Sequence, residues 1–85
     1  MEPVKHIFDT ASIGNYSIAK DAAEIAGMNF HSDYRGTCFK CYHFEITATT
    51  PEQDAVLTNI ILATVAHSEQ EHYKKKLSAW IAERR

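Results

Sequence analysis

The C-terminal stretch of the chain, residues 50–85, reads TPEQDAVLTNIILATVAHSEQEHYKKKLSAWIAERR. It opens with the signals of a helix N-terminus, since Thr50 can act as the N-cap, Pro51 suits the first helical position and Gln53 completes a capping box. No glycine or proline follows Pro51. The stretch therefore predicts one long helix that begins at Pro51 and continues close to residue 85.

Two separate apolar stripes run along this predicted helix when its residues are placed 100° apart. The stripe in the first half consists of Leu57, Ile60, Ile61, Thr64 and Val65. The stripe in the second half begins at Leu62 and Ala66 and continues through Tyr73, Leu77, Trp80 and Ile81. The two stripes point to nearly opposite sides, so a single surface of the protein cannot cover both.

The opposed stripes allow two interpretations. In the first, the helix breaks near His67 and its second half folds back onto the protein's own core. In the second, the helix is continuous and about 50 Å long, so its second half projects from a domain whose radius of gyration is about 12 Å. Kinks normally have an identifiable cause, and the sequence near His67 contains no helix breaker. We therefore favour the projecting helix, with a partner protein or a second copy of the chain bound by Tyr73, Leu77, Trp80 and Ile81.

Length and composition narrow the class of protein. The 85 residues predict a single domain, 1–85, and contents of 45% apolar and 11% aromatic residues are typical of a folded globular chain. The net charge of −2 argues against general binding to nucleic acid. The first ten residues, MEPVKHIFDT, lack the apolar core of a signal peptide, and no apolar run is long enough to span a bilayer. Two cysteines in such a chain predict a cytoplasmic protein with reduced thiols.

The rest of the chain predicts two or three strands and a short helix. A first strand is expected over Val4–Asp9, and a helix that Ser17 caps and Gly27 terminates is expected after the turn at residues 11–15. A hairpin turn at residues 34–36 leads into the clearest strand, Thr37–Ala48, which is rich in aromatic and β-branched residues. The predicted fold is α+β, in the order β-α-β-β-α, with a small antiparallel sheet, a short helix and one long C-terminal helix.

The alternation of the strand at 37–48 separates its side chains into two faces. The more apolar face, which we expect to meet the helices, consists of Cys38, Lys40, Tyr42, Phe44 and Ile46. The other face is mixed in character and consists of Phe39, Cys41, His43, Glu45 and Thr47. We expect this second face to be either open to solvent or part of an interface.

A zinc site is the alternative that the cysteines and histidines suggest. Its four ligands would be Cys38, Cys41, His67 and His72, with His31 and His43 as possible substitutes. The gap between the two pairs is long, the two cysteines point to opposite faces of a regular strand, and the two histidines lie about 140° apart on a regular helix. The alternative without a metal is that the two cysteines are buried or half-buried thiols and the histidines lie on the surface.

No set of residues predicts catalysis. Ser17 and Lys20 match the SxxK pattern of some serine acylating enzymes, but the accompanying motifs are missing and Ser17 suits a helix cap. No nucleophile, base and orienting group can be assembled from the sequence. We therefore predict a non-enzymatic protein without a cofactor that contacts another protein, as a small inhibitor, immunity-type protein or adaptor does, and that forms a homodimer. Binding to nucleic acid is not expected.

Overall fold

The computed structural model describes residues 1–33, 42–65 and 68–85 as a three-stranded antiparallel sheet and three helices. In chain order the elements are β1 (Val4–Thr10), α1 (Ile13–Ala26), β2 (Asn29–Asp33), β3 (Tyr42–Ala48), α2 (Pro51–Thr64) and α3 (Gln70–Arg84). The α+β class is confirmed, whereas the element order is β-α-β-β-α-α and not β-α-β-β-α. None of the helices in these ranges is long and apolar enough to cross a membrane.

The central strand of the sheet is β3, and both β1 and β2 pair with it in antiparallel orientation. Its predicted apolar face is confirmed where the structure describes it, since Phe44 and Ile46 are buried under the helices. Phe44 stacks against Phe8 of β1 and Phe30 of β2, with ring centroids 4.9 Å and 5.4 Å away. The first five residues of the predicted strand, 37–41, and the predicted turn at 34–36 lie outside the described residues.

The first helix begins earlier than the sequence predicts. Ser12, not Ser17, is the N-cap of α1, and its hydroxyl oxygen accepts a hydrogen bond from the Asn15 N–H at 3.2 Å. Ser17 is an exposed residue inside the helix. The prediction failed because Gly14 and Asn15 were assigned to a turn, although both fit the first turn of a helix. The predicted end is confirmed, since Gly27 takes the left-handed conformation (φ 74°) and its N–H bonds to carbonyls of the last turn.

The second helix begins where the sequence predicts, and Gln53 also ties it to α1. The Thr50 hydroxyl accepts from the Gln53 N–H at 3.1 Å, and the Gln53 Oε1 accepts from the Thr49 N–H at 2.8 Å. The Gln53 Nε2 donates to the carbonyls of Ala26 and Gly27 at 3.2 Å and 3.3 Å. One amide therefore satisfies a donor at the start of α2 and two acceptors at the end of α1.

The predicted single helix from Pro51 to the C-terminus is wrong, because the chain forms two helices there. The last turn of α2 ends at Thr64, whose hydroxyl donates to the Ile60 carbonyl at 2.7 Å, a contact that often bends helices. The Thr64 carbonyl accepts from Gln70 Nε2 at 3.2 Å and, at a longer 3.5 Å, from Asn15 Nδ2. Two side-chain amides therefore replace the backbone donor that a continuous helix would supply.

The third helix lies antiparallel to α2 and packs on α1 and α2 instead of projecting. Arg84, near the end of α3, lines a cleft with Thr50 and Gln53 at the start of α2. Arg85 follows α3 and places its guanidinium 3.3 Å from the Asp21 carboxylate on α1. The largest extent of the molecule is 33 Å, which leaves no room for a straight helix of about 50 Å.

The core lies between the sheet and the helices and continues between the helices themselves. Its largest fully buried side chains are Phe8, Ile46, Leu57, Ile60 and Leu77. The predicted first stripe is confirmed at Leu57, Ile60 and Thr64, whereas Val65 is 48% exposed because α2 ends before it. The alanines of α1 at positions 19, 22 and 23 are completely buried. Their small side chains let neighbouring elements approach the helix closely.

We expect the Gln53 contacts to contribute measurably to stability. Replacement of Gln53 by alanine keeps the Thr50 cap, which uses the backbone N–H of residue 53. It removes the acceptor for the Thr49 N–H and the bonds to two carbonyls, each worth about 1 kcal/mol. Urea denaturation followed by circular dichroism should show that the free energy of unfolding falls by about 1–3 kcal/mol.

The matched control is Gln53→Glu, which keeps the acceptor for Thr49 but has no amide donor for Ala26 and Gly27. Its stability should also fall below that of the wild type, because a carboxylate oxygen then faces the Ala26 and Gly27 carbonyls in place of an amide donor. A Gln53→Ala protein as stable as the wild type would contradict the role assigned to this side chain.

Candidate protein-binding surfaces

The predicted binding stripe on the C-terminal helix faces the protein's own core. Leu77 is 1% exposed and Ile81 is 8% exposed, and both belong to the buried cluster formed with α1 and α2. These two residues therefore pack inside a single chain and offer little surface to a partner. Of the two sequence interpretations, the one in which the second stripe packs on the protein's own core applies to these residues, because the helix ends at Thr64 and a new helix begins at Gln70.

Tyr73 and Trp80 lie at the rim of the same cluster and are half-buried. The Trp80 ring is covered in part by Arg84, whose guanidinium carbon lies 4.3 Å from the ring centroid. The Tyr73 ring meets the His72 ring edge-on and lies 5.6 Å from the Lys76 ammonium group. Both aromatic rings already have partners on α3, so partner binding at these positions stays a prediction.

Three of the four predicted zinc ligands, Cys38, Cys41 and His67, lie outside the described residues. The fourth, His72, is an exposed residue of α3. The substitutes His31 and His43 lie on neighbouring strands, β2 and β3. Residues 1–33, 42–65 and 68–85 contain no group of three or more His, Cys, Asp or Glu side chains that could hold a metal ion. Zinc binding by the cysteine pair stays a prediction.

One face of the sheet points away from the three helices that the structure describes. We call it the outer face and define it by Lys5, Ile7, Asp9, Asn29, His31, His43, Glu45 and Thr47. These residues alternate with the buried positions, so they share one side of the sheet. The sequence predicts His43, Glu45 and Thr47 on an open or interfacial face, and these residues are half-buried on the side of the sheet away from the described helices.

An exposed isoleucine lies at the midpoint of β1, at one edge of the outer face. Ile7 is 70% exposed, which is the highest value among the large apolar side chains of the described residues. It is paired in register with Glu45, and both line a shallow depression together with His31 and His43. The sequence did not single out Ile7, because Ile7 belongs to a weakly alternating segment whose register only the pairing with β3 fixes.

Charges of opposite sign flank Ile7 along β1. The Lys5 ammonium group lies 3.5 Å from the Glu45 carboxylate, and the Asp9 carboxylate lies 3.4 Å from His43 Nδ1. The other ring nitrogen of His43, Nε2, is buried and has no hydrogen-bond partner among the described residues. The outer face is therefore a balanced mixture of charged, imidazole and apolar groups.

These groups do not form a recognisable catalytic set. Ser17 and Lys20 are exposed on α1, and no general base is hydrogen-bonded to the Ser17 hydroxyl among the contacts of the described residues. The outer face offers carboxylates and imidazoles but no serine or cysteine nucleophile beside them in the described part of the chain.

Comparisons with known proteins add no family assignment. No protein-family model matches this chain, and no curated protein or solved structure is significantly similar to it.

We expect His72 to have no role in stability. It is exposed on α3 and touches only the edge of the Tyr73 ring among the ring contacts, and such surface substitutions usually change stability by less than about 0.5 kcal/mol. His72→Ala should therefore unfold at the wild-type urea concentration, and EDTA should leave the melting temperature of the wild type unchanged. One zinc per chain in protein purified without chelator, together with a lower melting temperature in EDTA, would establish the zinc alternative.

Proposed function

We propose that this chain is a non-catalytic cytoplasmic protein that acts by binding another protein, as an inhibitor, immunity-type protein or adaptor does. The observation that supports this function is the outer face of the sheet, which none of the described helices covers and which carries the exposed Ile7 side chain. The C-terminal helix, which the sequence favoured as the contact, contributes most of its apolar surface to the core.

The composition of the outer face suits a contact between separately folded proteins. Such interfaces are about as apolar as the rest of a protein surface and combine a few buried anchors with polar groups around them. Ile7 provides an anchor, and its complete burial would contribute about 1.5–3 kcal/mol. His31, His43 and Glu45 surround it with groups that can donate and accept hydrogen bonds.

The charges of the outer face favour a protein over a nucleic acid. Lys5 is its one lysine, and the carboxylates of Asp9 and Glu45 lie on the same face. Binding to nucleic acid depends on several cationic side chains that reach phosphates from one surface. A protein partner with charges of both signs would match this face, whereas a phosphate backbone would meet two carboxylates beside a single lysine.

A photo-crosslinking residue at position 31 tests this function directly. His31 is exposed on β2 within the outer face, and a matched probe at Lys75 lies on the exposed side of α3. In extracts of the native host we expect a protein adduct from the probe at position 31 and none from the probe at position 75. Mass spectrometry of the adduct identifies the partner protein, which is then produced separately for binding measurements.

Titration calorimetry with that purified partner provides the quantitative test. Ile7→Arg should weaken binding by about tenfold or more, because the lost burial exceeds the 1.4 kcal/mol that corresponds to a factor of ten. Ile13→Arg is the matched control, since Ile13 is also exposed, at 65%, but lies on α1. Equal affinities of the two variants, or an adduct from position 75 alone, would contradict the outer face as the binding site.

A further inference from the structure

The free edge of the sheet carries a second feature, which shares Ile7 with the outer face but depends on the backbone of β1. β1 pairs with β3 on one side, and within the described part of the chain no strand pairs with it on the other. A seven-residue edge strand presents unpaired N–H and C=O groups that another strand can join. Pro3 precedes the strand, and none of its seven residues is a proline that would interrupt pairing.

We propose that β1 pairs antiparallel with β1 of a second copy of the chain, in the register that places Ile7 opposite Ile7 of the second copy. A two-fold axis then passes between the two isoleucines, and the two sheets join into one sheet of six strands. The contact is isologous and closed, which is the usual form of a dimer. The sequence predicts self-association through the C-terminal helix, whereas the contact proposed here is β1.

The outer-face side chains of β1 are self-complementary in this register. With Ile7 opposite itself, Lys5 of each copy lies opposite Asp9 of the other, because residues equally far from the axis are paired. Opposite charges directly across two strands stabilise the pairing, and so do two aliphatic side chains. The exposed Ile7 of each chain is covered by its counterpart, and an ion pair lies on each side of the two isoleucines.

The other registers that keep both outer faces on one side of the joined sheet are less favourable. A shift of the axis to residue 6 places Lys5 opposite Ile7, and a shift to residue 8 places Ile7 opposite Asp9. A shift to residue 5 or residue 9 brings two lysines or two aspartates together, and like charges directly opposite are destabilising. The charge pattern of the strand therefore selects the register centred on Ile7.

The existing contacts of Lys5 and Asp9 are compatible with the dimer. Lys5 lies 3.5 Å from Glu45 and Asp9 lies 3.4 Å from His43 in the same chain. In the joined sheet, Asp9 of each copy would lie between His43 of its own chain and Lys5 of the second copy. Charged residues on an edge strand normally hinder pairing with other strands, whereas this arrangement permits pairing with an identical one.

Sedimentation velocity over a range of concentrations tests the dimer. We expect the wild type to dimerise weakly, because a contact of one strand per copy belongs to the smallest class of specific interfaces, below about 1,200 Å² in total. Ile7→Asp should raise the dissociation constant at least tenfold, whereas Ile13→Asp, which replaces an exposed isoleucine on α1, should leave it unchanged. Circular dichroism establishes that each variant is folded.

A charge exchange tests the register. Lys5→Asp and Asp9→Lys should each weaken the dimer roughly three- to thirtyfold, because each change acts twice in a symmetric contact. The double variant should recover most of the affinity, since it reverses both pairs but keeps opposite charges facing each other. Without this recovery, or with a wild type that stays monomeric at millimolar concentration, the proposed pairing is wrong.

Disulfide formation tests the register geometrically. The background is the variant with Cys38→Ser and Cys41→Ser, which should sediment like the wild type. Ile7→Cys should form a covalent dimer on oxidation, because opposite residues have Cα atoms about 4.5–5.5 Å apart, within the reach of a disulfide. Lys5→Cys alone should not form a covalent dimer, because residue 5 of one copy and residue 5 of the other are offset by about 13 Å along the strand. A mixture of Lys5→Cys and Asp9→Cys should form the mixed dimer.

The reverse pattern, with Lys5→Cys linked to itself and Ile7→Cys not linked, would overturn the register. These results leave the proposed function standing, because that function is tested with a probe at His31 on the opposite edge strand. A chain that dimerises through β1 but gives no adduct from position 31 would support the dimer and remove the proposed partner site. The two claims share Ile7, and the probe at position 31 together with sedimentation distinguishes the failure of one from the failure of the other.

Discussion

The burial of Leu77 and Ile81 between α1 and α2 determines the arrangement of the whole chain. Each of these side chains contributes about 1.5–3 kcal/mol when it leaves water, which a helix continued into solvent would forfeit. The cost of the break is limited because the Thr64 carbonyl receives donors from Gln70 and Asn15. A buried carbonyl left without a donor would cost about 1–3 kcal/mol. Burial and replacement hydrogen bonds therefore both favour two helices over one.

The position of α3 decides which surfaces remain for recognition. Because α3 packs on α1 and α2, Leu77 and Ile81 are buried and are not available to a partner. The outer face of the sheet remains, and no helix of the described residues covers it. The sheet in turn has β3 at its centre, so β1 is an edge strand. The exposed Ile7 lies where the outer face meets this edge. The fold-back of α3 thus removes the stripe that the sequence favoured as a contact, and the outer face and the free edge of β1 remain as the proposed contacts.

Local patterns predicted the parts of the fold that depend on neighbours in sequence. The capping residues Thr50 and Gln53, the left-handed Gly27 and the buried face of β3 all follow from local geometry. The break after Thr64 does not follow from local geometry, because the donors that replace the helical hydrogen bonds come partly from Asn15, 49 residues away. The outer face was predicted in part from the alternation of β3, but Ile7 joined it only through strand pairing. Long-range contacts, which the sequence does not display, account for both failures.

The return of α3 along α2 is tested most directly by a distance between spin labels at Glu52 and Glu83. Both residues are exposed, and the neighbouring Arg84 borders the same cleft as Glu52. Labels would be attached in a variant without Cys38 and Cys41 and diluted with unlabelled protein, so that only distances within one chain are measured. Adjacent helix axes lie about 10 Å apart, so we expect a distance below about 25 Å. A distance near 46 Å, the length of about 31 residues of uninterrupted helix, would contradict the account.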